Sequence, residues 1–194
     1  MIAGVILAAG SASRMGKTKQ ILPFKGNTIL GCVIENARRS RVGELVVVIG
    51  SAADEVLKKV DFTGVEVLVN QDYLRGQSTS LKLGLKAVAE RCEGVIFLLG
   101  DQPLVGSDVI DQLIEAFYHS AAAIIIPTYD GKRGNPVLIR RTLFSALEKL
   151  SGDVGARKLF KEYAHEIKEV EVSSQRVLLD IDEWQDYVDL QGKE

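Results

Sequence analysis

Three stretches of this chain are apolar at nearly every position rather than at every second one: Ile2–Ala8, Glu44–Ile49 and Val95–Leu99. A strand with one face in water alternates, whereas a strand of Val, Ile and Leu throughout is covered on both faces. Between such runs the apolar residues recur at helical spacing. Ser107, as an N-cap before Asp108, is followed by Val109, Ile110, Leu113, Ile114 and Phe117. Leu81, Leu85, Val88 and Ala89 follow Ser78, and Ile29, Val33, Ile34 and Ala37 follow Thr28. Further strands are expected at Val65–Val69, Ala123–Pro127 and Pro136–Ile139, with a late one at Arg176–Asp180. Strand and helix in repetition, joined by right-handed crossovers, predict an α/β fold: a doubly wound, mostly parallel sheet between helix layers.

Composition narrows what such a fold can serve. At 194 residues and 46% hydrophobic content, the chain suits one well-buried domain over 1–194, with a soft boundary only near Asp130–Gly134. A net charge of −2 offers no basic excess for a phosphodiester backbone, so nucleic acid is not an expected partner. No apolar run approaches the ~20 residues of a membrane span. The opening apolar stretch has no positive residue before it and runs into a Gly/Ser loop, unlike a signal peptide. Cys32 and Cys92 lack metal-type spacing and read as two core thiols in a reducing cytosol, so a cytoplasmic location is expected.

In open parallel sheets, ligands bind beyond the carboxyl ends of the strands. The first strand is followed by LAAGSASRMGKTKQILP, from Leu7 to Pro23. Gly10 permits a sharp turn, and Ala8, Ala9, Ser11, Ala12 and Ser13 are small enough for a ligand to approach the backbone. Successive N–H groups there suit an anion, and Arg14, Lys17 and Lys19 supply positive charge. A flexible Gly/Ser turn with solvated lysines is the plain alternative. Two familiar phosphate motifs fail on spacing. A P-loop needs four residues between its first Gly and Gly-Lys-Ser/Thr, but five separate Gly10 from Gly16-Lys17-Thr18. The dinucleotide fingerprint fails because Ala12 and Met15 stand where it requires glycines.

The same segment resembles the signature of MobA-like nucleotidyltransferases, the molybdenum-cofactor enzymes, with Ile21 where the signature has Leu. The resemblance extends over nearly the whole chain and implies a Rossmann-like nucleotidyltransferase. Its nucleotide-binding half would be about residues 1–105 and its acceptor-binding half about 106–194. It implies that the loop wraps a triphosphate. Arg14 and Lys19 would neutralise the phosphates, while Leu7, Ala8 and Ala9 would lie against base and ribose.

The fourth strand ends in VIFLLGDQP, which places Asp101 at the rim of the expected site. Mg²⁺ takes one or two carboxylates plus substrate phosphates, and Asp101 suits that role; a turn aspartate before Pro103 is the alternative. GDQP also resembles the family's metal-binding strand end. In LLDIDEW, Asp180 and Asp182 flank Ile181, so on an extended strand they share a side and repel unless a cation lies between them. The family's usual DIDTPxD is similar, but Glu183-Trp184-Gln185-Asp186 replaces TPxD. By resemblance one of the two acids completes the metal site with Asp101.

Asn70, ending the third strand, offers a donor and an acceptor for a pyrimidine edge. Ser78 either caps the next helix or bonds the base. GQSTSL at Gly76–Leu81 resembles the cytidylyl-transferring branch of the family more than the guanylyl branch. GNPVLI at Gly134–Ile139 and GDVGAR at Gly152–Arg157 resemble its acceptor half. There Asn135 is an acceptor-binding candidate, and Arg157 is either a phosphate clamp or a solvated helix-end arginine. His119 and His165 have no partner that would make them catalytic. The resemblance implies a Mg²⁺-dependent transfer of CMP from CTP to a molybdopterin-type acceptor, with a molybdoenzyme or its chaperone as recipient. The alternatives are GTP as donor, a sugar or polyol phosphate as acceptor, or a non-catalytic nucleotide-sensing insertion chaperone.

Overall fold

The computed structural model describes residues 1–10 and 15–192. In chain order its elements begin with β1 (Ile2–Ala8), the hairpin strands β2 (Pro23–Phe24) and β3 (Asn27–Thr28), α1 (Ile29–Arg38), β4 (Glu44–Ile49), α2 (Ala53–Lys59) and β5 (Glu66–Val69). There follow α3 (Gln77–Val88), β6 (Gly94–Leu99), α4 (Ser107–Tyr118), β7 (Ile124–Tyr129), β8 (Lys132–Arg133) and β9 (Val137–Arg140). The chain finishes with α5 (Phe144–Glu148), β10 (Ile167–Glu171) and α6 (Trp184–Gln191). One sheet runs β10-β7-β9-β6-β1-β4-β5, with β8 paired to β7. The pairs β1–β4, β1–β6, β4–β5 and β7–β10 are parallel. β9 runs antiparallel to both β6 and β7, so the sheet is mixed but mostly parallel.

The non-alternating strands behave as their composition requires. In β1, Ile2 and Ile6 join Leu30 and Ile34 of α1 and Ile110 and Leu113 of α4 in one apolar layer. The intervening Ala3 and Val5 join Leu81 and Leu85 of α3 and Leu147 of α5 in the other. All of these residues are buried, and burying one aliphatic side chain contributes roughly 1.5–3 kcal/mol. Thr28 caps α1 as expected, its hydroxyl accepting the Gly31 amide at 3.0 Å.

Two expectations need correction. Arg176–Asp180 is not a strand: Gln175–Leu178 forms a 3₁₀ helix, started where the Ser174 hydroxyl accepts the Arg176 amide. The strand of that region is instead β10, IKEVE, an edge strand paired only with β7, so its charged side chains stay in water and its pattern does not read as buried. Ser107 is the first residue of α4 rather than its cap, because Gly106 holds the extended cap position.

β1 lies between β4 and β6 with Leu7 level with Val48 on one side and Leu99 on the other. From β1 the chain goes to β4 and β5, then returns across to β6. That reversal makes the carboxyl end of β1 the switch point of the sheet, where a doubly wound fold opens a crevice.

Candidate active site

Because Leu7 and Leu99 are in register, the segments after β1 and β6 emerge side by side. Their approach depends on Gly100, where an added Cβ would lie 2.7 Å from the Ala8 Cβ. Asp101 follows at once. Across from it a short 3₁₀ turn, Lys19–Ile21, brings back the end of the first loop.

The Lys19 ammonium donates to Asp101 Oδ2 at 2.7 Å, the Ile181 carbonyl at 2.9 Å and Asp182 Oδ1 at 3.1 Å. An ammonium has three donors, so all three have protein acceptors. Burial works to lower the Lys19 pKa, but the Asp101 and Asp182 carboxylates outweigh it and hold the amine above its ordinary value, hence charged at neutral pH. The ammonium thus lies between Asp101 and Asp182, not between Asp180 and Asp182. Asp101 keeps one oxygen in reserve: Oδ1 is buried and has no hydrogen-bond partner.

The late acids arrive by an irregular path, not on a strand. Asp101 O accepts the Ile181 amide at 3.0 Å, which fixes residues 181 and 182 against the β6 exit. Asp182 borders the cleft. Asp180 does not line it; burial, then the nearby Asp182 and Asp101 carboxylates, push the Asp180 carboxyl above its ordinary range. The departure at Glu183–Asp186 has a local explanation. Glu183 and Asp186 form a capping box for α6, with Asp186 Oδ2 accepting the Glu183 amide at 2.8 Å and the Asp182 amide at 3.1 Å.

These residues border a cleft of about 700 Å³ that also takes in Leu7, Ala8, Ala9 and Gly10. Ser11, Ser13 and Arg14 lie outside the described residues. Several lining residues have no role assigned from the sequence. Gln20 is buried and donates from Nε2 to the carbonyls of Ala8 and Gly10, both at 3.1 Å, pinning the turn after β1. Tyr73, Gln77 and Asp153 also line the cleft. Asp153 accepts the Gln77 amide at 3.2 Å and Gly152 O accepts the Ser78 amide at 3.3 Å, so the GDVG segment caps α3 from outside.

The remaining candidates sit elsewhere. Asn70 does not line the cleft: its amide donates to Thr79 and Ser80, both at 2.8 Å, and its oxygen accepts the Asp72 amide at 2.9 Å. That side chain holds the turn into α3 and has no free edge for a base. Ser78 is neither cap nor lining residue; it lies in the first turn of α3, buried, with its hydroxyl unpartnered. Asn135 is half-buried and its backbone N–H donates to Val177 O at 3.0 Å. Arg157 is exposed; desolvation lowers its pKa while nearby Asp180 acts to raise it. Neither lines the cleft.

Among the described residues, no three His, Cys, Asp or Glu side chains form a ready-made metal cage. A cation that binds mainly through substrate phosphates and water needs only one or two carboxylates. Asp101, with its orphaned oxygen, and Asp182 fit that requirement. Nor is any helix among the described residues long and apolar enough to cross a membrane.

Residues 4–167 match the family model of the MobA-like NTP transferase domain. The chain is 34% identical to the crystal structure of Rv0371c from Mycobacterium tuberculosis H37Rv in complex with manganese, with a TM-score of 0.86 over 100% of this chain and 99% of that one. It is 27% identical to the molybdenum cofactor cytidylyltransferase of Escherichia coli, over 95% of this chain and 92% of the relative. Nicotine blue oxidoreductase of Paenarthrobacter nicotinovorans is also 27% identical, over 93% of this chain and 92% of the relative.

Proposed function

The chain belongs to the MobA-like NTP transferase family and is a nucleotidyltransferase; from that premise we propose that it moves CMP from CTP onto a molybdopterin-type molybdenum cofactor, releasing pyrophosphate, as a Mg²⁺-dependent cytoplasmic enzyme. One observation carries the reading: Asp101, whose Oδ1 is buried without a hydrogen-bond partner, lines one cleft of about 700 Å³ together with Leu7, Ala8, Ala9 and Gly10 of the turn after β1. Such an oxygen is costly to leave unmade and is accounted for by a ligand. The manganese of the mycobacterial relative supports a divalent ion, and the cytidylyltransferase relative supports CTP.

The chemistry asks little covalent work of the protein. A phosphate oxygen of the acceptor bonds to the α-phosphorus as the bond from that phosphorus to the bridging oxygen breaks, and pyrophosphate leaves with the electron pair. The acceptor oxygen is already anionic at neutral pH, so no general base is needed. Ala8, Ala9 and Gly10 let the nucleotide approach the backbone, and Gln20 holds that turn in place. Asp101 and Asp182 would hold the divalent ion, which when bound neutralises phosphate charge and polarises the α-phosphoryl group. Arg14 and Lys19 are the side chains assigned to the leaving pyrophosphate, with Asn135 and Arg157 on the acceptor side.

Pyrophosphate release measured with each of the four ribonucleoside triphosphates, against molybdopterin-type and sugar or polyol phosphate acceptors, tests the reading. The expected result is release with CTP and the molybdopterin-type acceptor. Faster release with GTP or with another acceptor reassigns the substrates. Nucleotide binding without release under any combination makes the protein a sensor.

A further inference from the structure

We infer that Lys19 is the resident counter-ion of the acid pair, holding Asp101 and Asp182 together and keeping a divalent cation out until a triphosphate arrives to take the ammonium. The inference deepens the function proposed above and rests on it. Its basis is a conflict between two roles of one side chain. As a phosphate contact Lys19 must point N–H groups at the substrate. Yet its donors are taken by Asp101 Oδ2, Asp182 Oδ1 and the Ile181 carbonyl, and its side chain is only 14% exposed. The same ammonium cannot satisfy both sets of acceptors.

The two acids come from positions 82 and 163 residues away from Lys19 in the chain, and the bond from the Ile181 amide to Asp101 O brings them side by side. With Lys19 removed they would repel, and burial would sharpen the repulsion around Asp101. With Lys19 in place one of the two carboxylate charges is offset, and a divalent ion approaching alone meets an ammonium already in the position it needs. A triphosphate alters the balance because its oxygens are acceptors of higher charge density. Lys19 swings to them, the carboxylates are released, and the incoming cation binds acids and phosphates together. Nucleotide and metal should therefore bind with positive coupling, which is reciprocal by linkage.

The test measures Mn²⁺ binding to the full chain by electron paramagnetic resonance, with and without the non-hydrolysable analogue α,β-methylene-CTP. Wild-type protein is expected to bind Mn²⁺ weakly alone and tightly with the analogue. Lys19→Met, which removes the charge, is expected to bind Mn²⁺ alone about ten- to thirty-fold more tightly than wild type; that is the repulsion of a divalent ion by one charge about 4 Å away in a mostly aqueous medium. In thermal melts without nucleotide, Mn²⁺ should raise the Tm of Lys19→Met more than that of wild type. Lys19→Gln, which keeps N–H donors for Asp101, carries the same test if the methionine variant does not fold. Equal or weaker Mn²⁺ binding by the uncharged variant, or tight binding by wild type without nucleotide, overturns the inference. Asp101→Asn separates it from the underlying reading: if that variant still binds Mn²⁺ like wild type with the analogue present, the metal is not held at Asp101 and the proposed function itself is at fault.

Discussion

Replacing Gly76 by alanine should separate the Gly152–Asp153 loop from α3. Gly76 joins the turn after β5 to α3 with φ +106° and ψ 166°, a region that essentially only glycine enters. A Cβ there would lie 2.4 Å from the carbonyl carbon of Gly152 and 2.5 Å from the Asp153 amide nitrogen. Both are backbone atoms, so no rotamer change relieves the overlap; the Gly152–Asp153 segment has to withdraw. Its withdrawal breaks the bonds from the Gln77 amide to Asp153 and from the Ser78 amide to Gly152 O. The backbone conformation costs about 1–3 kcal/mol, and the two hydrogen bonds contribute about 1 kcal/mol each. The expected loss is therefore about 3–5 kcal/mol, a large share of the 5–15 kcal/mol typical of a domain. Urea denaturation of Gly76→Ala beside Gly64→Ala isolates the overlap, because Gly64 also has positive φ, +71°, but nothing within 4 Å of its added Cβ. The control should lose only about 1–2 kcal/mol, the ordinary cost of a left-handed residue. Equal losses in the two variants would refute the steric reasoning. Since Asp153 lines the cleft, folded Gly76→Ala should also show a raised KM for the nucleoside triphosphate.

Three further outcomes follow from the site. Asp101→Asn keeps the shape but loses the charge, so pyrophosphate release should fall by about 10² or more while the far-ultraviolet circular dichroism is unchanged; activity within a few-fold of wild type removes Asp101 from the reaction. Gln20→Ala leaves the Ala8 and Gly10 carbonyls without their donor, and should cost about 1–3 kcal/mol in denaturant melts and raise the KM for the triphosphate; a variant as stable and as active as wild type would show the turn to be held by its backbone alone. Trp184 is the chain's one tryptophan. Its ring carries the Lys17 ammonium 5.6 Å from the centroid and packs 5.2 Å from the Tyr187 ring, so CTP that draws Lys17 toward phosphate should change its emission saturably, and an unchanged spectrum at saturating CTP disproves that movement.

How much of this was legible in the sequence differs by residue for physical reasons. β1, β4 and β6 are central and covered on both faces, so their composition alone marks them. β10 has one neighbour and a solvated edge, and its Lys and Glu conceal it. The run Val177-Leu178-Leu179 looks like a strand because Val177 is fully buried, but it is buried from a 3₁₀ turn. The site follows the same division. Asp101 and the first loop are readable because strand ends are where a doubly wound sheet places its ligands. Asn70 misleads because a buried amide serves a turn as readily as a base, and only its three partners distinguish the two. Gln20, Gln77 and Asp153 lie within the sequence motifs, but their roles come from contacts across the chain that no local pattern records.

The segment that completes the acid pair is bound to the first loop by packing of its own. Ile181 and Leu190 are buried with Leu22, Phe24, Ile29 and Leu104 in a small apolar cluster apart from the two that sandwich the sheet. Tyr187 Oη and Gln191 Nε2 both donate to the Pro23 carbonyl, at 2.7 and 3.0 Å. An isolated helix of eight residues is not stable in water, so α6 depends on that cluster, and Asp182 depends on α6 through the hydrogen bond its backbone N–H donates to Asp186 Oδ2. The large layers set the distance between β1 and β6, and the satellite cluster sets where Asp182 meets Lys19. A destabilisation confined to the cluster would therefore loosen one carboxylate of the site while leaving the sheet, and Asp101 with it, in place.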